Sequence, residues 1–151
     1  MTNPFKKIYY SIWADAINYE RIKNGGEDHW KLFTFAYMSV LLGLNILAIW
    51  TAIRFFSGYN LANKLMEQLA TITTSEKLQN LLLSMIVMFI PSAIINYYLV
   101  FYRKKYEYIL KNYEFKNGKF LFIYFCITVI AFFGFSLLNK FKLEIISFLN
   151  L

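Results

Sequence analysis

The chain is poor in the residues that carry most familiar site chemistry. Its 151 residues include one cysteine, one histidine, two prolines and six glycines. Cys126, standing alone, cannot form a disulfide within the chain, so it leaves the redox compartment open. A single cysteine and a single histidine supply no ordinary zinc ligand set. A Ser–His–Asp arrangement would have to use His29, which sits beside Trp30 at a hydrophobic boundary and reads better as a solvated interface residue. Gly25 and Gly26 lack the flanking pattern of a phosphate-binding loop. Charge is scarce too, at 17% of residues against about 25% in an average soluble domain.

Apolar surface takes its place. Hydrophobic residues make up 58% of the chain and aromatic residues 21%. So short a chain has a large surface for its volume and cannot hide that many apolar side chains from water. A soluble globular domain and a disordered chain are both disfavoured. A bilayer is the solvent that fits. Helical spans need about 20 apolar residues, and three stretches reach that length. They are residues 32–56, 81–102 and 119–139. Leu32 to Ile53, Leu81 to Tyr102 and Phe120 to Leu138 contain no Asp, Glu, Lys, Arg or His. The expected fold is all-α, an integral membrane protein with three transmembrane helices and short interfacial helices in a single domain, 1–151.

The net charge of +7 would suggest nucleic acid in a soluble protein. Its distribution gives a better reading. Lys and Arg number five before the first span, three in the first loop, six in the second loop and two after the third span. That alternation places the N-terminus and the second loop in the cytoplasm, and the C-terminus outside, in a cell membrane. No cleavable signal peptide is visible, so the first span serves as an uncleaved anchor.

Segments outside the spans also carry helical signals. Asn3-Pro4 is a helix start and Asn24-Gly25-Gly26 a stop. Between them Phe5, Ile8, Tyr9, Ile12, Trp13 and Ala16 recur at helical spacing, with Lys7, Ser11, Asp15 and Asn18 opposite. The expectation over 3–26 is an amphipathic helix lying in the cytoplasmic interface, or else packed on another segment or a partner. The outer loop, 57–80, has a short amphipathic pattern at Leu61, Leu65, Met66, Leu69 and Ile72. There Thr73 and Glu76 fit a capping box that would start the second helix near Thr74. That helix is expected to project to about residue 113, with Glu107 and Lys111 paired at i, i+4. Asn117-Gly118 marks a turn. The tail, 141–151, is too short to span.

The spans hold a few uncharged polar residues. Asn45, Ser84, Ser92, Asn96 and Thr128 are candidates for interhelical hydrogen bonds or for the lining of a pore. Ser84, Met88, Ser92 and Asn96 follow at steps of four, as one stripe. Pro91 removes a backbone bond to Val87 and should kink the second helix, as a packing kink or as a hinge. Arg103, Lys104 and Lys105 are the densest basic cluster; they set topology and are candidates for contact with anionic lipid. Aromatics on either flank, Tyr97, Tyr98, Phe101 and Tyr102 among them, sit where interfacial belts form, which makes nucleic acid an unneeded explanation. Ion-coupled carriers place ionisable groups inside the membrane, and these spans have none. The acids Asp15, Glu20, Glu27 and Asp28 form no spacing that specifies catalysis. With no cofactor implied, the expected function is a non-enzymatic accessory or scaffold subunit. It would form homo-oligomers or pack with other membrane subunits. The alternative is a homo-oligomeric channel or membrane-permeabilising effector.

Overall fold

Three helices of the computed structural model are long and apolar enough to cross a membrane: Trp30–Ser57, Glu76–Asn112 with its interruptions, and Lys119–Lys140. Residues 4–25, 29–58 and 61–142 are described; Asn3, Gly26 and the tail beyond residue 142 lie outside them. Among the described residues all regular structure is helical.

The elements run α1 (Pro4–Lys23), α2 (Trp30–Ser57), α3 (Leu61–Ala70), α4 (Glu76–Ser84), α5 (Ile90–Asn96), α6 (Lys105–Asn112) and α7 (Lys119–Lys140). At 28 residues α2 is about 42 Å long, and at 22 residues α7 is about 33 Å, both sufficient for a hydrocarbon core of roughly 30 Å. Two compact units are formed. The first comprises Met1–Leu41 and Ser92–Ile127, the second Leu42–Pro91 and Thr128–Leu151.

Local chemistry explains most helix ends. Pro4 occupies the first turn of α1, where its missing N–H is not needed. Arg21 and Lys23 stand in the last turn, where positive charge complements the helix dipole. Gly25 then adopts φ +61 and ends the helix as expected. Asn117 (φ 52) and Gly118 (φ 75) form the left-handed turn that starts α7. The expected capping box before α4 does not form. The helix starts at Glu76 with Ser75 as its cap. The Thr73 hydroxyl accepts the Ser75 N–H at 3.3 Å, and Gln79 reaches back to the Thr73 carbonyl at 2.6 Å.

The second spanning segment departs from a simple rod. A π-helical turn, Met85–Phe89, precedes Pro91, and the Ile90 N–H bonds five residues back to the Met85 carbonyl. This is how the helix accommodates the N–H that proline lacks. The five-residue repeat also breaks the expected four-residue stripe. Ser84 is exposed and bonds within its own helix to the Leu81 carbonyl, whereas Ser92 and Asn96 are buried. A second π-helical turn spans Tyr97–Phe101. The chain is helical as far as Asn112, but the projection is not continuous, because Arg103 and Lys104 are both left-handed at φ 54. The Tyr102 N–H goes to the Tyr97 carbonyl, and the Lys105 ammonium takes the Tyr98 carbonyl at 2.9 Å.

In the second unit, Gly43 of α2 meets the π-helical turn. A Cβ at Gly43 would lie 2.3 Å from Met88 Cγ and 3.0 Å from the Met88 carbonyl oxygen, so only glycine permits this approach. Asn45 Nδ2 donates to Thr128 Oγ1 at 2.9 Å. At the end of α2, Asn139 Nδ2 donates to the Thr51 carbonyl and the Lys142 ammonium to the Phe55 carbonyl, each at 2.6 Å. A cation thus meets the negative end of that helix dipole. Leu69 is buried on α3, with Leu65 and Met66 half-buried, while Ile72 is 73% exposed.

Candidate functional site

The densest arrangement of polar groups surrounds α1 in the first unit. Trp13, Ala14, Asp15, Ala16 and Ile17 are each fully buried. Five consecutive buried residues cover more than one turn, so this part of the helix is enclosed on all sides. An interfacial helix would leave its polar face in water. Here the sequence-based division into an apolar and a polar face fails at Asp15.

Asp15 is consumed as a cap. One carboxylate oxygen accepts the Lys116 backbone N–H at 2.5 Å and the other accepts the Phe120 N–H at 2.8 Å. Phe120 lies in the first turn of α7. That turn has amides without intrahelical acceptors and the positive end of the helix dipole, both suited to a carboxylate. The expectation that Asp15 faces solvent is therefore corrected: it holds the start of a spanning-length helix from more than 100 residues away in sequence.

A second polar chain joins α1 to the interior of the unit. The Tyr9 hydroxyl donates to Asn96 Oδ1 at 2.8 Å, and Asn96 Nδ2 donates to Ser39 Oγ at 3.2 Å. Asn96 and Ser39 are buried, and burial pushes the Tyr9 hydroxyl well above the usual phenol range. Tyr37 donates to the Ala16 carbonyl at 3.0 Å. Aromatic rings fill the remaining space: Trp13 packs edge-on against Phe101 at 5.7 Å, and Tyr10 against Tyr113 at 5.6 Å. Trp13, fully buried between the Tyr9 and Phe101 rings, is a packing element of this core.

The sequence-selected residues fall into distinct settings. Ser92, Asn96 and Thr128 are buried, and Asn45 is bonded to Thr128; Ser84 is exposed. Pro91 follows a π-helical turn. Arg103 and Lys104 are exposed, and Arg103 and Lys105 lie over the Tyr102 ring at 5.2 and 5.9 Å. Tyr97, Tyr98 and Tyr102 form an exposed ring cluster, but Phe101 turns inward to Trp13 and Phe35. Glu20 is buried, and Asn24 Nδ2 donates to it at 3.1 Å. Glu107 and Lys111 form no ion pair; Glu114 instead pairs with Lys116, whose hydrogen bond and charge hold the Glu114 carboxyl below its usual range. Sequence reasoning missed Asp15, Tyr9 and Ser39 as a set. The signal available was a carboxylate, Asp15, set among the apolar residues Trp13, Ala14, Ala16 and Ile17 of α1.

Two concave surfaces of the first unit lie near these groups. A groove of about 560 Å³ is walled by Tyr19, Tyr37, Leu41, Phe122 and Phe125, with Lys119 at its edge. A second, of about 530 Å³, lies among Arg21, Trp30, Lys31, Tyr106, Glu107 and Lys111. Among the described residues no three His, Cys, Asp or Glu side chains converge. Comparison with family models, with curated proteins and with solved structures finds no match.

Proposed function

We propose that this protein is a non-enzymatic integral membrane subunit, an accessory or scaffold component of a membrane complex. One observation carries the reading: polar groups within the spanning-length helices are bonded to other groups of the same chain. Asn45 is engaged by Thr128, and Asn96 by Ser39 and Tyr9. Such bonds fix helix packing. They leave those side chains without a free face for coordinating a passing ion, which is why the scaffold is favoured over the pore.

What the chain offers neighbours in the plane of the bilayer is apolar. Phe122, Ile123, Ile127, Ile130, Phe133 and Leu137 of α7 are all more than half exposed. This face suits lipid or a second membrane subunit. The Lys and Arg bias supports a cell membrane location with the N-terminus and the loop before α7 on the cytoplasmic side. Arg103, Lys104 and Lys105 then stand at the inner headgroups, where each basic residue contributes about 1 kcal/mol of attraction to anionic lipid.

Native mass spectrometry from lipid nanodiscs tests the assignment. The expected species contains this chain with a different membrane protein at fixed stoichiometry. A monomer, or a homo-oligomer that conducts ions in planar bilayers and loses conductance on Asn96→Leu, overturns it.

A further inference from the structure

We propose that the groove of about 530 Å³ between the end of α1, the start of α2 and α6 binds a phosphomonoester. The inference is independent of the scaffold role. It depends only on the groove and on its position at the first turn of a spanning-length helix.

Three cations meet there. Arg21 comes from the last turn of α1, Lys31 from the first turn of α2, and Lys111 from the last turn of α6. One acid, Glu107, shares the groove. Glu107 does not neutralise Lys111, and Arg21 and Lys111 make no ion pair with a described residue. Here two cations from different elements border one concavity, and neither is paired with a described residue.

The floor is aromatic. Trp30 is 5% exposed and packs edge-on against Tyr106 at 5.5 Å. The Lys31 ammonium lies 5.7 Å from the Trp30 ring centre and 5.9 Å from that of Tyr106. Both rings hold it over the groove. Arg21 supplies a planar fork that can take two oxygens of one phosphate, and Lys111 supplies a point charge. Arg21, Lys31 and Lys111 against Glu107 give the described lining a formal charge of +2, which matches the two negative charges of a phosphomonoester better than the single charge of a diester. The groove belongs to the end of α2 at which the apolar run begins, so a lipid headgroup can reach it; a soluble phosphomonoester has the same recognised chemistry.

The test uses the full chain in phosphatidylcholine nanodiscs doped with phosphatidic acid or with phosphatidylglycerol. Lipid retained after release into the gas phase is counted by native mass spectrometry. Phosphatidic acid should be retained about tenfold over phosphatidylglycerol, in line with the extra strength of charge-assisted bonds. The double variant Arg21→Gln/Lys111→Gln should lose that preference. Lys64→Gln/Lys77→Gln, which removes the same charge elsewhere, should keep it. Equal retention of the two lipids by the wild-type chain overturns the proposal without reference to any variant. So does an unchanged preference in the first double variant, or an equal loss in the second. Added glycerol 3-phosphate separates the sources. Displacement of phosphatidic acid assigns the groove to a soluble phosphomonoester and resistance assigns it to the lipid; either result upholds a phosphomonoester site.

Discussion

Asp15 is the residue on which most depends. It is fully buried, its two carboxyl oxygens accept two amide bonds, and it faces the positive end of α7. Asp15→Ala leaves two amides without their acceptor, at about 1–3 kcal/mol for each one left buried. A drop of about 2–4 kcal/mol is therefore expected in detergent unfolding experiments. Asp15→Asn keeps one acceptor oxygen and should cost about half as much. Tyr9 makes a separate, pH-dependent prediction. Its hydroxyl titrates higher in the folded protein than the ordinary phenol value of 10.0. The neutral, hydrogen-bonded form therefore stabilises the fold fully below that value, and the contribution is lost as pH climbs above it. Tyr9→Phe should cost about 1 kcal/mol at neutral pH and should flatten the decline of stability at alkaline pH. A decline as steep in the variant as in the wild-type chain would assign the alkaline sensitivity to other tyrosines.

Among the elements, the crossing of α2 with the π-helical turn has the least tolerance. A methyl group at Gly43 would meet both the side chain and the carbonyl of Met88. Overpacking of this kind costs about 1–3 kcal/mol. Gly134 in α7 has nothing within 4 Å of the same position. Replacing a mid-helix glycine by alanine there should help by up to about 1 kcal/mol. Gly43→Ala and Gly134→Ala should therefore shift the unfolding midpoint in opposite directions, and a shared sign would mean that the crossing relaxes freely. The broken end of the second spanning segment was not legible in the sequence. Pro91 announced one irregularity. Nothing comparable announced the turn at Arg103 and Lys104, since two consecutive lysine or arginine residues at φ 54 run against the preference of side chains for negative φ. The carbonyl that Lys105 takes over belongs to Tyr98, a contact that exists only once the chain has turned.

For the whole molecule, the orientation in the bilayer is the first quantity to measure. With Cys126→Ser as background, Lys64→Cys should be labelled by an impermeant reagent from outside the cell. Lys111→Cys should be labelled only after permeabilisation. The reverse pattern would invert the topology and with it the side on which α1 and the phosphomonoester groove lie. The scaffold reading carries its own expectation at this scale: planar bilayers containing the purified protein should remain silent across a range of voltages.

The amino-acid pattern alone determined the three helices long and apolar enough to span a membrane, and most of their ends. Apolar run length, Pro at a first turn and Gly after a last turn act locally, within a few residues, so they can be read one segment at a time. The pattern also picked out Asn45, Asn96 and Thr128 as polar groups in an apolar setting. It could not choose their partners, because the Tyr9–Asn96–Ser39 chain joins residues up to 87 positions apart. Tertiary structure alone decided the role of α1. Its hydrophobic spacing fits a surface helix, yet the unit encloses it, because a buried carboxylate and the unbonded amides of α7 satisfy one another only when the two are brought together.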